Sequence, residues 1–320
     1  MILALTVAVA GGLSAVLAND VIVFAMTPLL CAGLESRGLD PRPHLIALAG
    51  AANAGSAATL IGNPQNILIG QVGRLRFWEF LAACGPPAVL ALLIVYATVL
   101  VTWRKALRRD LPPAVAVAVA VAPPLDRQQL VKSLFATAAL LALFMSPLPQ
   151  PEGVLIIAGY LLVSRKMATK SLLGLVDWHL LVLFAGLFVV TRTLTETGLP
   201  GEAIVALAQA GLAPDRLSVL TPLALIGSNT IGNVPAVILL LTVLPTLPES
   251  TLYALALLTT LAGNLLIVGS LANIIMVERA KEAGVALTFA QHARSGVPMT
   301  LASCAAAVGW LLWRAQGGGW

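Results

Sequence analysis

Four polar islands interrupt an otherwise apolar chain. They are Ala18-Asn19-Asp20, Gly62-Asn63-Pro64-Gln65-Asn66, the run from Ser228 through Asn229 to Gly232-Asn233, and Gly269-Ser270-Leu271-Ala272-Asn273. Carboxamides and hydroxyls supply both donors and acceptors, so they can enclose an ion without burying a permanent charge. Proline removes a backbone donor and disfavours helix in the residue before it, so Gly-Asn-Pro inside an apolar run predicts an unwound helix. A break leaves N–H groups unpaired on one side and C=O groups on the other. The N–H ends carry partial positive charge and favour anions, whereas the carbonyl ends favour Na⁺. The candidate ion- and substrate-binding residues are therefore Asn19, Asp20, Gly62, Asn63, Pro64, Asn66, Ser228, Asn229, Asn233, Gly269, Ser270 and Asn273, with Na⁺ expected near Asn19, Asn63, Asn233 and Asn273. Asp20 is the one acid at a break, and an intramembrane carboxylate is a functional candidate by default, as a cation ligand or a proton carrier. A helix cap is the competing role for every tip asparagine. For Asn53 and Asn264 it is a hydrogen bond between helices.

The flanks of these islands decide where they lie. The chain is 59% apolar and only 10% charged, against roughly 25% charged for a soluble domain. Several apolar runs reach about 18 residues, enough to cross a bilayer core. Polar breaks in such a chain sit at membrane depth, where irregular backbone persists only if it is buried in protein or lines a cavity. The formal net charge of +5 belongs to loops and is no sign of nucleic-acid binding. Cys31, Cys84 and Cys304 have no metal or redox spacing and read as packing residues. His44, His179 and His292 fall near expected interfaces with no ligand pair among them. Asp177, Glu196 and Glu202 read as solvated flank residues. No protease, nucleophile-elbow or phosphate-loop pattern is present, which argues against an enzyme. No cofactor is expected beyond a coupling Na⁺ or H⁺.

The order is a hairpin followed by a split helix, and it occurs twice. Asn19-Asp20 breaks the first hairpin, within residues 1–32, and residues 45–70 split at Gly62 to Asn66. Residues 217–247 form the second hairpin, broken at 228–233, and 251–282 split near Gly269 to Asn273. The breaks are 47 residues apart in the first copy (19 to 66) and 40 in the second (233 to 273). Internal repetition of this kind is a signature of secondary transporters. Spanning segments are expected at 81–103, 131–146, 153–164, 178–197 and 297–314, and a short surface helix at 201–213. The expected fold class is all-α: a polytopic transmembrane protein with two inverted repeats, each holding a re-entrant helical hairpin and a broken helix. Its parts are repeat one over 1–103, a cytoplasmic linker over 104–130 and repeat two over 131–320. Three spans precede the hairpin of the second copy and none precedes that of the first, so about three N-terminal helices are expected to be missing. Residues 1–18 could also be read as a signal peptide ending Val16-Leu17-Ala18, but no basic residue precedes the apolar run.

Charge gives the orientation. Placing 104–130 in the cytoplasm puts 33–44, 164–177 and 279–295 there as well. Those loops hold Arg37, Arg42, Arg104, Lys105, Arg108, Arg109, Arg127, Lys132, Arg165, Lys166, Lys170, Arg279, Lys281 and Arg294, which is 14 of 19 basic residues. Arg74, Arg76, Arg192, Arg216 and Arg314 fall outside. Basic residues concentrate in cytoplasmic loops. The two hairpins then enter from opposite sides, as alternating access requires.

The segments SAVLANDVIVFAMTPLL, ATLIGNPQNILIG, VDWHLLVLFAGLFVVTRTLTETGL and SNTIGNVPAVILLL resemble the ion transporter superfamily. That group includes arsenical-pump membrane proteins, citrate and dicarboxylate:sodium symporters, and one type of sodium/proton antiporter. Gly-Asn-Pro-x-Asn and Asp-Trp-x-Leu-Leu are nearer the arsenical-pump and anion-permease branch. The resemblance implies hairpin tips at Ala18-Asn19-Asp20 and Gly232-Asn233-Val234, and helix breaks at Gly62–Asn66 and Gly269–Asn273, that hold cation and anion. The sequence departs from that pattern at Ala18, Asp20 and Val234, and the second break lacks proline. The implied function is a secondary transporter in the bacterial inner membrane, working by elevator-like alternating access on a small anion such as arsenite or a carboxylate. The lipid bilayer and a second copy in a homodimer are its implied partners. A sodium/proton antiporter and a non-transporting fragment are the alternatives.

Overall fold

The computed structural model describes residues 1–107, 126–146, 148, 150–163, 174, 178–244 and 247–317, and among these every regular element is helical. Arg108, Arg109, Arg165, Lys166, Lys170 and Asp177, used above for orientation or as flanks, lie outside the described residues. The chain divides into two compact units, 1–117 with 191–320, and 118–190.

In the larger unit α1 (Ile2–Ser14) and α2 (Asn19–Glu35) are joined by the first tip. α3 (Arg42–Ser56) and α4 (Pro64–Gly73) are the halves of the first broken helix, and α5 (Phe77–Thr102) and the single turn α6 (Arg104–Leu107) follow. Beyond the smaller unit come α10 (Leu199–Gln209), α11 (Leu217–Thr230) and α12 (Asn233–Val243). The second broken helix is α13 (Glu249–Ala262), a 3₁₀ turn at Ile267–Gly269 and α14 (Leu271–Glu282). α15 (Phe289–Gln316) closes the chain. The smaller unit holds α7 (Arg127–Phe144), α8 (Gln150–Leu162) and the first part of α9 (Trp178–Glu196). There Lys132 Nζ donates to Leu161 O at 3.0 Å and Val163 O at 2.6 Å, satisfying carbonyls that the end of α8 leaves open.

Only α5 (26 residues) and α15 (28 residues) are both long and apolar enough to cross a bilayer by themselves among the described residues. At 1.5 Å per residue they measure about 39 and 42 Å. By the same rise the four helices that flank the two tips, α1, α2, α11 and α12, of 13, 17, 14 and 11 residues, are about 17–26 Å long, against a ~30 Å bilayer core.

α3 and α13 form the centre. Every residue of α3 from Pro43 to Ser56, and of α13 from Thr251 to Ala262, is buried. A helix apolar all round is buried all round. α3 achieves this with alanine and glycine, which let backbones approach. α1 and α5 pack against α3, as α11 and α15 pack against α13. The second arms cross over: α2 packs on α14, and α12 packs on α4. The three cysteines are buried and free, as packing residues should be.

Several bounds differ from the sequence expectations. α15 starts at Phe289, eight residues before 297. Thr288 and Gln291 form a capping box there, which satisfies open N–H groups at the polar start of the helix. Asp126 likewise starts α7 by accepting from Gln128 N and Gln129 N. Both breaks also open earlier than glycine and proline suggested, after Ser56 and after Ala262. Pro64 and Asn66 lie in the first turn of α4, and Asn273 in the first turn of α14.

Candidate functional site

Asn63 shows how the first break is held. It is the N-cap of α4 in extended conformation, its Oδ1 accepts from Asn66 N at 2.8 Å, and Pro64 follows at the first helical position. That is a favoured start for a helix, because proline lacks only a donor that would be unpaired anyway. The same side chain turns outward through Nδ2, which donates to Ser56 Oγ at 3.0 Å and Thr260 Oγ1 at 3.3 Å. Gln65 Nε2 also donates to Thr260 Oγ1, at 3.2 Å. Thr260 belongs to the other broken helix, so this cap is also a tie between α4 and α13.

Asn66 then closes the break behind it. Its Nδ2 donates to Ser56 O at 3.1 Å and Thr59 O at 2.9 Å, two carbonyls left open where α3 ends. Asn273 does the same in the second break, donating to Gly263 O at 2.7 Å and Leu266 O at 3.0 Å. Each asparagine reaches back ten and seven residues, so one shift of 207 residues (273 − 66) maps the first pair of bonds onto the second.

That shift maps further contacts. It carries Asn53 onto Thr260 and Asn63 onto Ser270. Asn63 donates to Thr260, and Ser270 Oγ donates to Asn53 Oδ1 at 3.0 Å. Each broken helix therefore reaches across to the same position of the other. Ser270 is an N-cap without a capping bond of its own, because its hydroxyl serves this link.

Asn53 is the hub. Its Oδ1 accepts from Asn19 Nδ2 at 2.9 Å as well as from Ser270, and its Nδ2 donates to Asn264 Oδ1 at 2.8 Å. Asn264 Nδ2 donates back to Gly50 O at 3.2 Å, and the Asn264 carbonyl meets His292 Nε2 at 3.2 Å. Asn19 N donates to Gly62 O at 3.0 Å, and Thr59 Oγ1 to Ala15 O at 2.6 Å, fixing the first tip on the first break. At the second tip Ser228 Oγ donates to Thr259 O at 3.3 Å and Asn229 Nδ2 to Ala262 O at 3.0 Å. These carbonyls close the end of α13.

The structure thus gathers Asn19, Gly62, Asn63, Asn66, Ser270 and Asn273, together with the unanticipated Thr260, Ser56, Thr59 and Gln65, into one buried web. Ser228 and Asn229 join its α13 side. Asn53 and Asn264 make the hydrogen bond between helices that the sequence suggested as their role, and they do so at its centre. Asp20 is buried at the start of α2, where its N–H donates to Asn19 Oδ1 at 3.0 Å. Asn233 is buried, and its Oδ1 accepts from Val234 N at 3.0 Å in the same local geometry. No hydrogen bond links Asn233 to the other amides. The second tip turns at Gly232, whose φ of +93° an L side chain rarely adopts.

Two acceptors in this region are buried without a partner, Asn66 Oδ1 and Asn229 Oδ1. A buried polar atom in that state carries a desolvation cost that a ligand would remove. No three His, Cys, Asp or Glu side chains cluster among the described residues. The oxygens on offer are amide, hydroxyl and carbonyl, a ligand set suited to hard cations.

An all-helical bundle with two helix breaks tied by buried amides, in a chain this apolar, belongs to the integral membrane transporters. Residues 1–256 match a family model described as "Citrate transporter", and the chain belongs to that family. It is 30% identical to the "46 kDa membrane protein" of Mycobacterium leprae over 94% of this chain and 74% of that one. It is 32% identical to "Inner membrane protein YbiR" of Escherichia coli over 94% and 74%, and 28% identical to the "Silicon efflux transporter LSI3" of Oryza sativa over 90% and 74%. Family and relatives alike agree with a transporter that carries out no chemical reaction.

Proposed function

We propose that this protein is a secondary active transporter moving a small oxygen-rich anion, coupled to Na⁺ or H⁺, by elevator-like alternating access. The observation that carries the reading is the exchange of contacts between the two breaks, Asn63 to Thr260 and Ser270 to Asn53. A contact made in both senses is what a pseudo-two-fold axis produces. An axis in the membrane plane relates the halves of many transporters, with the site at the interface of the repeats. Two inverted repeats with re-entrant hairpins follow from that reading. The short arms, each below the thickness of a bilayer core, support it.

The chemistry fits the direction of charge. The N-termini of α2, α4, α12 and α14 all start at breaks and present N–H groups to an anion. The C-terminal ends of α3 and α13, with the unpartnered Asn66 Oδ1 and Asn229 Oδ1, present oxygens to a cation. The family description names citrate and the rice relative's name silicon. An arsenite, carboxylate or silicate solute is the substrate class we infer. The inner membrane of a bacterium is the proposed location, and a homodimer the proposed assembly.

Asn63→Ala and Asn233→Ala are expected to abolish ion-gradient-driven uptake while the protein still reaches the membrane. Radiolabelled uptake into vesicles, with citrate, arsenite, silicate and sulfate as a panel, measures this. Unchanged uptake in both variants would rule out the site. Asp20 separates the two transport modes. Asp20→Asn is expected to leave part of the anion uptake, whereas complete loss of Na⁺-driven proton movement in that variant, with no anion flux in the parent, would establish the antiporter instead.

A further inference from the structure

A second anion site lies away from the broken helices, where the N-terminus of α3, the end of α5, α6 and the second turn of α15 meet. Asp40, Arg42, Trp103, Arg104, Lys105 and Arg294 line a cavity of about 620 Å³ there. Four cations against one carboxylate give it a formal charge of +3. Asp40 is spent on Arg42 alone. Arg42 Nε donates to Asp40 Oδ1 at 2.9 Å and Nη2 donates to Oδ2 at 2.8 Å, a two-point clamp. Burial by itself pushes the Asp40 carboxyl up, but the bonds from Arg42 outweigh it and hold Asp40 below the ordinary carboxylate range, so the clamp is charged at neutral pH. Nη1 of Arg42 takes no part in it. Arg104, Lys105 and Arg294 are exposed and form no ion pair among the described residues.

The wall of the cavity is fixed. Trp103 Nε1 donates to Ser295 Oγ at 3.0 Å, and Thr102 Oγ1 shares a hydrogen bond with the same hydroxyl at 2.8 Å. The Arg42 guanidinium sits 6.0 Å from the Trp103 ring centroid. Tryptophan ending a long apolar helix, followed at once by Arg104-Lys105, marks the membrane–water boundary. Gathering three unpaired cations at one mouth costs repulsion unless an anion accompanies them.

We propose that this cavity binds a phosphate-bearing anion, the headgroup of an acidic phospholipid or a soluble phosphate compound. Its volume falls in the range of small-ligand sites. Guanidinium groups present forked donors that match phosphate oxygens, and Lys105 adds a mobile point charge. Basic pockets at the boundary of membrane helices take lipid headgroups on the same principle. The site is independent of the transport reading, and its test does not involve uptake.

The purified full chain is placed in mixed micelles of phosphatidylglycerol and phosphatidylcholine, and retained lipid is counted by native mass spectrometry. Phosphatidylglycerol is expected to be retained about tenfold over phosphatidylcholine. Gln substitution of any one of Arg104, Lys105 and Arg294 should reduce this by about fivefold, and substitution of all three should leave the two lipids equally retained. The control R74Q/R76Q/R216Q removes the same charge elsewhere and should leave retention unchanged. Displacement of lipid by millimolar inorganic pyrophosphate assigns the cavity to soluble phosphates, and retention against it assigns the lipid headgroup. Equal retention of the two lipids without displacement by pyrophosphate, or an equal loss in the control variant, overturns the site.

Discussion

Asn53→Ala is expected to lower stability by about 3 kcal/mol and to abolish uptake. The side chain holds Asn19 of the first tip at 2.9 Å, and Ser270 and Asn264 of the second break at 3.0 and 2.8 Å. Alanine leaves three buried polar groups without a partner. Each such group costs roughly 1–3 kcal/mol in a soluble protein. Hydrogen bonds between membrane helices average nearer ~0.6 kcal/mol, since the separated helices find other partners. Three losses between those limits come to about 3 kcal/mol. Thr260→Ala is the paired comparison, because it removes one hydroxyl that accepts from Asn63 and Gln65. Asn63 Nδ2 keeps Ser56 Oγ, so one buried amide, that of Gln65, loses its partner, and about 1 kcal/mol is expected. Thermal unfolding in detergent, read beside vesicle uptake, orders the two. If Asn53→Ala unfolds no earlier than Thr260→Ala, Asn53 is not the hub.

Those two residues also mark where reading the sequence stops. Gly62-Asn63-Pro64 was legible because each residue breaks a helix by a local cause, and the structure caps α4 there. The opening of the same break at Ala57 was not legible. Ser56-Ala57-Ala58-Thr59 has no helix breaker in it, and the carbonyls it frees are satisfied by Asn66 from ten and seven residues away. Asn53 and Asn264 are 211 residues apart, and nothing local in either segment points to the other. Thr260 in an apolar helix looks like any threonine bonded to its own backbone. Asn233 was expected among the converging amides as the tip residue matching Asn19, yet among the described residues its side chain bonds only with Val234 N. The polar start of α15 was missed for a different reason. Hydropathy finds the centre of a spanning helix, whereas its first turns follow from the Thr288–Gln291 capping box. That two polar breaks each follow a polar tip could be seen in order and spacing. Their exchange of contacts needed coordinates.

The other large effect is expected from one methyl group. α1 and α3 meet where Gly55 faces Gly11, and a Cβ on Gly55 would run into the Gly11 carbonyl oxygen and stand 2.5 Å from its Cα. Unstrained carbon atoms sit about 3.5–4.0 Å apart. No side chain can rotate away here, because the obstacle is backbone, so α1 must retreat by more than about 1 Å. Overpacking a well-filled core costs typically 1–3 kcal/mol, and a shifted helix places Gly55→Ala at about 3 kcal/mol or above. The effect reaches the site, since α1 leads into the tip that sets Asn19 on Asn53 and Ala15 O on Thr59. Gly12→Ala supplies the contrast one residue along the partner helix. A Cβ there meets nothing within 4 Å, and alanine is a better helix former than glycine by up to about 1 kcal/mol. Folded yield after detergent extraction, unfolding temperature and uptake should all fall for Gly55→Ala and hold for Gly12→Ala. Equal behaviour of the two variants would mean that α1 does not lie against α3, and the placement of the first tip would fall with it.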